Sequence, residues 1–186
     1  MKRVLMFLLI VVLAFVGFVA TRPAQFRVVR SGSVSAPPSV VYAQIADFHN
    51  WPAWSPWEHL DPAMTRSITG AASGVGAIYD WTGNDKVGQG RMTIMDATPD
   101  QKVSIKLEFM KPFQATNVTT FALTPNSDGT SVEWSMEGRN NFVSKAMCIF
   151  MPMDKMVGGD FERGLASLKQ VAEQGSAAAA DSAAGH

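Results

Sequence analysis

The chain has 186 residues, 47% hydrophobic and 17% charged, a composition typical of one globular domain with short additions rather than of a disordered protein. Its 16 lysines and arginines balance 16 aspartates and glutamates, so no overall basic charge attracts nucleic acid, and we expect no nucleic-acid partner. The single cysteine, Cys148, excludes an intramolecular disulfide and a cysteine-rich metal cluster.

The N-terminus begins with a long apolar run. The letters MKR are followed by seventeen uncharged, almost wholly apolar residues, 4–20. As a helix this run is roughly 25 Å long, close to the thickness of a hydrocarbon core. A secretory signal is the alternative, but cleavage after Ala20 would put Phe18 where signal peptides carry a small residue. We therefore predict a transmembrane anchor over residues 1–22.

Basic residues flank this run on both sides, with Lys2 and Arg3 before it and Arg22, Arg27 and Arg30 after it. Because basic residues favour the cytoplasmic side of a membrane, the two groups favour opposite orientations. We favour a single-pass membrane protein with an extracytoplasmic domain.

Apolar and polar residues alternate in several later segments, most clearly in 102–110 and 130–138. This alternation is typical of strands with one solvated face. The short turn sequences TGND, TPDQ and PNSDG separate the segments and favour an antiparallel arrangement. The predicted strands, about seven, are 26–34, 65–70, 76–82, 88–96, 102–110, 114–124 and 130–138.

Two helical segments accompany these strands. APPSVVYAQIADF predicts a short helix that begins near Pro38, and the apolar spacing of 144–172 predicts a long one whose apolar stripe lies on the sheet. Pro152 lacks a backbone donor, so we expect a kink or break there. Residues 174–186 are mostly alanine, serine and glycine without an apolar period, which predicts a disordered tail.

Five motifs suggest a family: APPSVVYAQIADFHNWPAWSPW, GVGAIYDWTGND, GQGRMTI, LTPNSDGTSVEWSMEG and MDKMVGGDFERGLASLK. With this element order, the chain resembles the SRPBCC (START-like) superfamily, in its polyketide cyclase/dehydrase-like branch. The resemblance implies an α+β helix-grip fold over residues 25–173, with a curved antiparallel sheet around a long C-terminal helix. It also implies a cavity for an apolar ligand between the sheet and that helix.

The stretch HNWPAWSPWEHLDP, residues 49–62, contains three tryptophans directly after the first helix of the domain. In the superfamily the corresponding segment closes one end of the cavity. Tryptophan combines a large apolar area with one donor, which suits a ligand pocket. Ordinary packing onto a core and direct contact with a ligand both remain open for these side chains.

Aromatic residues and methionines dominate the predicted inner surface, and methionine adapts to variable apolar shapes. We therefore predict a pocket for an apolar small molecule or lipid. The residues expected to line it are Trp54, Trp57, Tyr79, Trp81, Phe109, Phe121, Trp134, Phe150, Met153, Met156 and Phe161.

Metal binding and catalysis find less support in the sequence. His49 and His59 lie among acids, but the gap between them crosses two prolines and fixes no ligand geometry, so we expect no metal. We assign no catalytic residue and no cofactor. The polar residues that could face the cavity are Tyr79, Asp80, Arg91 and Asp160.

Three functions remain open. The first is a membrane-tethered module that binds a hydrophobic small molecule or lipid in the cavity. The second is a polyketide cyclase/dehydratase-like enzyme, which the resemblance permits although no residue supports it. The third is a protein-interaction domain whose cavity is filled. Whether the protein is an enzyme stays undecided at this point.

Overall fold

The structure is a computed structural model that describes residues 1–184. Besides one short 3-10 helix, Phe48–Ala53, it contains four α-helices and seven strands in the described part of the chain. The helices are α1 (Lys2–Ala20), α2 (Pro38–Ala46), α3 (Phe142–Phe150) and α4 (Met153–Ala184). The strands are β1 (Gln25–Val34), β2 (Thr65–Gly70), β3 (Ala77–Thr82), β4 (Gln89–Thr98), β5 (Lys102–Lys111), β6 (Ala115–Asn126) and β7 (Gly129–Arg139).

The seven strands form one curved antiparallel sheet in the order β1-β7-β6-β5-β4-β3-β2. Strands adjacent in sequence pair from β2 to β7, and β1 closes the series by pairing with β7. Register shifts in the β4–β5 pair mark bulges, which bend a sheet locally. The predicted α+β fold, an antiparallel sheet with a long C-terminal helix, is confirmed.

The long helix α4 packs on the sheet mainly against β1. Arg30 on β1 bonds two acids of α4: its Nη1 lies 2.8 Å from Asp154 Oδ1, and its Nε lies 2.6 Å from Glu162 Oε1. Hydrogen bonds from the Arg30 guanidinium lower the pKa of Asp154 below its usual value. Ion pairs therefore connect the polar edge of α4 to β1, while the apolar face of α4 packs on the sheet.

The helical segment breaks at Pro152, as the sequence predicts. Met151 has an extended backbone, and α4 begins at Met153. The carbonyl of Pro152 then accepts from the backbone N–H groups of Lys155 and Met156 in the first turn of α4. The proline thus ends one helix and begins another, because its ring cannot continue the preceding turn.

The end of the chain is the segment 174–186, for which the sequence predicts a disordered tail. Helix α4 continues to Ala184, and the last two residues lie outside the described part. Alanine has the highest helix propensity of all residues, so an alanine-rich segment can extend an existing helix without an apolar face. Whether residues 174–186 form a disordered tail stays a prediction.

Helix α1 is long and apolar enough to cross a membrane, with a mean hydropathy of 2.8, and most of its side chains are exposed. A signal sequence near an N-terminus has the same properties. Val19, near the end of α1, is buried, and α1 contacts α3. The apolar helix therefore meets the domain close to the break between α3 and α4.

Candidate functional site

A continuous group of aromatic rings fills the space between the sheet and α4. Trp134 on β7 stacks on Phe161 of α4, with ring centroids 4.2 Å apart and planes 7° from parallel. Phe121 on β6 also packs against Trp134, with ring centroids 4.6 Å apart. We call this group the aromatic cluster. Its members are Phe48, Trp51, Trp54, Trp57, Tyr79, Trp81, Phe109, Phe121, Trp134 and Phe161.

The proline-rich tryptophan stretch folds inward under α2. The indole N–H of Trp51 donates to the carbonyl of Ile45 at 3.0 Å, and that of Trp54 donates to the carbonyl of Gln44 at 3.1 Å. Both carbonyls belong to the last turn of α2, where backbone acceptors have no partner within the helix. The two tryptophans therefore satisfy the end of α2 while their rings enter the core.

The aromatic cluster is closely packed, and glycines make room for it. A Cβ at Gly164 on α4 would lie 2.6 Å from Trp134 Cζ3 and 3.1 Å from Pro56 Cδ. A Cβ at Gly90 on β4 would lie 2.3 Å from Trp81. The indoles thus occupy the space that side chains at these positions would need. A ligand could enter between the sheet and this part of α4 only if the rings moved.

Most of the predicted pocket residues meet in this cluster. Trp54, Trp57, Tyr79, Trp81, Phe109, Phe121, Trp134 and Phe161 belong to it, and Met153 packs partly buried beside the core. The structure does not bring Phe150 and Met156 to the same place, since their side chains are 77% and 39% exposed. The break at Pro152 separates Phe150 from the helix that covers the sheet.

A buried polar group adjoins the cluster. The hydroxyl of Tyr79 donates to Glu58 Oε1 at 2.5 Å, and Arg66 Nε lies 2.9 Å from Glu58 Oε2 as an ion pair, though not aligned as a hydrogen bond. Burial, followed by the bond to Glu58, raises the pKa of the Tyr79 phenol well above its usual value. Arg66 on β2 thus balances the charge of Glu58, and Tyr79 on β3 donates a hydrogen bond to it. These two contacts hold the tryptophan stretch against the sheet.

The other polar residues named from the sequence have local partners. Asp80 pairs with Arg91 on the neighbouring strand at 2.7 Å. Asp160 pairs with Arg163 one turn later on α4. These partly exposed ion pairs contribute little to stability, and they do not place a free charge among the aromatic rings.

The histidines and acids of the tryptophan stretch do not converge on a metal. Asp47 accepts from the backbone N–H of His49 at 2.9 Å and caps the 3-10 helix. Asp61 accepts from the backbone N–H of Asn84 at 2.7 Å and stabilises a turn. Within residues 1–184, no three histidine, cysteine, aspartate or glutamate side chains are grouped to hold a metal ion.

A pocket of about 300 Å³ lies where the end of α1, the start of β1 and the α3–α4 break meet. We call it the elbow pocket. Apolar side chains form much of its wall, and Arg22 and Lys145 add two cations. Of the residues predicted to line a pocket, only Met153 lies here. The lining residues are Arg22, Pro23, Gln25, Phe26, Asn140, Lys145, Cys148, Ile149, Pro152 and Met153.

No sequence motif indicates the elbow pocket. It joins residues 22–26 to residues 140–153, which are far apart in the chain and carry no shared motif. Only the antiparallel pairing of β1 with β7 brings them together, since Gln25 lies opposite Arg139.

Comparison with known proteins gives a family and a fold. The family model described as "Polyketide cyclase / dehydrase and lipid transport" matches residues 25–173. No curated protein matches the sequence. Protein CV1439 from Chromobacterium violaceum is similar in structure, with a TM-score of 0.54 at 18% identity, covering 81% of this chain and 99% of that one.

Two further solved structures agree. Protein MLL2253 from Mesorhizobium loti has a TM-score of 0.57 at 20% identity, covering 80% of this chain and 98% of that one. The Aha1 dimer from Colwellia psychrerythraea has a TM-score of 0.56 at 17% identity, covering 80% and 96% of the two chains. At such identities the likeness shows the fold alone.

Proposed function

The chain belongs to the polyketide cyclase/dehydrase and lipid transport family, and from this membership we propose that it is a membrane-tethered protein that binds a hydrophobic small molecule or lipid. In this proposal residues 1–22 are the anchor and residues 25–173 the binding domain. The observation that carries the proposal is the elbow pocket, which lies beside the end of the apolar helix.

The elbow pocket suits the proposal better than the aromatic cluster does. Trp134 and Phe161 touch across the interior, so no ligand fits between them without rearrangement. The elbow pocket is instead open and walled by Phe26, Ile149 and Met153. Its volume is near the lower end of the roughly 300–1,000 Å³ range of ligand pockets, so it suits a small molecule or one part of a lipid.

The cations at the pocket narrow the class of ligand. Arg22 and Lys145 can pair with a carboxylate or phosphate, while the remaining wall is largely apolar. An anionic amphiphile, such as a fatty acid, satisfies both features. A molecule of this kind would reach the pocket from the bilayer surface in which the anchor ends.

Catalysis is a weaker candidate on this geometry. A general acid or base works best when an apolar site holds it free to face the substrate. Glu58 and Tyr79 are bonded to each other instead, and they lie next to the packed interior. The packed interior also fits an interaction domain with a filled cavity, so the test must be able to separate binding from that alternative.

Photolabelling can make this separation. The full chain in lipid nanodiscs is irradiated with a long-chain fatty acid that carries a diazirine, and the labelled peptides are identified by mass spectrometry. We expect saturable labelling of the peptide that contains Phe26, because this residue lines the pocket from β1. Excess unmodified fatty acid should suppress that labelling.

A matched pair of substitutions tests the site. Ile149→Trp fills the elbow pocket and should abolish the labelling, whereas Phe150→Trp, at an adjacent exposed residue, should leave it unchanged. Labelling that is absent, or that does not saturate and is the same in both variants, would refute binding in the elbow pocket and favour the interaction domain.

A further inference from the structure

Helix α3 has two distinct faces. At about 100° per residue, Lys145, Cys148 and Ile149 fall on one side, which lines the elbow pocket. Val143, Met147 and Phe150 fall on the opposite side, and Phe142 lies at the boundary next to Ile149. Both sides are largely apolar, although none of the residues of α3 is fully buried.

The outer face of α3 is highly exposed. Together with Met151 just after the helix, its side chains form an apolar surface that we call the α3 face. Soluble proteins rarely leave several large apolar side chains together in water, and such patches commonly mark sites of contact with a protein or a membrane. The exposed fractions are 77% for Phe150, 61% for Val143, 54% for Met151 and 43% for Met147.

The position of α3 points to a membrane as the occupant. Helix α1 contacts α3, and α1 ends at Ala20. The guanidinium of Arg22 lies over the ring of Phe18, 4.2 Å from its centroid, at the place where the chain leaves the apolar helix. If α1 spans a bilayer, α3 lies at the level where the span meets the headgroups.

The charge around α3 agrees with this position. From Gly138 to Met153 the chain contains Arg139 and Lys145 but no aspartate or glutamate. Short helices with an apolar face and nearby cations bind at the boundary between headgroups and acyl chains, and anionic lipids strengthen that binding.

We propose that the α3 face inserts into the headgroup boundary of an anionic bilayer, next to the end of α1. This proposal rests on the membrane tether of the proposed function. It assigns α3 a second role, since the inner side of the helix forms the elbow pocket while the outer side holds that pocket at the membrane surface.

The test places a fluorescent label on the α3 face in the full chain. Cys148→Ser provides a background without cysteine, and Met151→Cys or Met95→Cys then carries an environment-sensitive label. Met95 is a matched control, because it is also an exposed methionine, with an exposed fraction of 58%. It lies on β4, four strands from β1 in the sheet, so the two strands are about 19 Å apart at roughly 4.8 Å per strand.

Each labelled chain is reconstituted in vesicles of phosphatidylcholine with a minority of phosphatidylglycerol, with or without a phosphatidylcholine that carries a nitroxide high on its acyl chain. We expect quenching to be at least ~2-fold stronger at position 151 than at position 95, since only the α3 face reaches the acyl boundary. Equal quenching at both positions would overturn the proposal.

Two further readouts separate the alternatives. A label at position 151 that reports an apolar environment without nitroxide quenching would show that protein covers the α3 face, which also overturns the proposal. The second readout uses Phe150→Glu in the chain with its native cysteine. This substitution should weaken the contact between the α3 face and the bilayer. A protease should then cut the Arg139–Lys145 segment of the reconstituted chain more readily. Failure of the fatty-acid labelling would leave these results unchanged, so the two proposals can fail separately.

Discussion

Trp134 on β7 and Phe161 on α4 lie face to face, with ring centroids 4.2 Å apart and planes 7° from parallel. This contact joins the sheet directly to the C-terminal helix at the place where a START-like cavity is expected. The aromatic cluster around the pair therefore acts as a core, and the elbow pocket lies outside it.

Deletion of residues 1–22 should leave a folded, soluble domain. Helix α1 contributes no residue to the hydrophobic core that joins the sheet to α4, and its buried Val19 lies apart from that core. Thermal unfolding followed by circular dichroism should show one cooperative transition. Loss of that transition would mean that the apolar helix is part of the fold.

The full chain should remain with membranes through an alkaline carbonate wash. Seventeen consecutive apolar residues form a helix long enough to span the hydrocarbon layer. Release into the soluble fraction, with a new N-terminus near Thr21, would identify the segment as a cleaved signal sequence instead.

Trp54→Ala should destabilise the domain by about 3–5 kcal/mol, because the indole is buried and its N–H bonds the end of α2. Met156→Ala is the control, and it should change the free energy of unfolding by less than about 1 kcal/mol, since Met156 is partly exposed. Urea unfolding measures both changes. A small effect of Trp54→Ala on stability would indicate a pocket wall rather than a core.

Gly164→Ala should destabilise the domain by about 1–3 kcal/mol, because the new methyl group would lie within 2.6 Å of Trp134. Gly159→Ala provides a matched control on the same helix. Its methyl group meets no atom closer than 3.6 Å, so the higher helix propensity of alanine should stabilise α4. If both variants unfold at the same urea concentration, the packing of α4 on Trp134 is looser than the structure shows.

The stability of the domain should fall as the pH rises above about 10, in part because of Tyr79. Its pKa is raised in the folded state from the usual value of 10.0, so above that pH the unfolded chain loses the phenolic proton while the folded chain retains it. Ionisation then favours the unfolded state. Stability from this group is fully present below pH 10.0 and is lost as the pH rises toward the folded pKa.

Tyr79→Phe isolates this effect. At neutral pH the variant should be less stable by about 1–3 kcal/mol, since Glu58 loses its buried donor. Above about pH 10 the difference in the free energy of unfolding between wild type and variant should shrink. Urea unfolding at both pH values measures it, and a constant difference would show that the Tyr79 phenol does not titrate differently in the two states.

Local patterns were sufficient to predict the elements of the fold. The alternation in 102–110 and 130–138 depends only on which side of a strand each residue faces, and the first halves of β5 and β7 follow it. Pro152 breaks the helix because its ring removes the backbone N–H donor and clashes with the preceding turn. Such features need no knowledge of distant residues, and the order of these elements was enough to indicate the family.

The candidate site depended on contacts that no local pattern contains. Glu58 meets Tyr79 across 21 positions, and the elbow pocket forms because β1 pairs with β7. Whether Trp54 and Trp134 line a cavity or fill it is decided by the combined volume of side chains from several strands and α4. Sequence determines which residues are apolar and which side of an element they occupy, but only the tertiary structure determines how much space remains between them.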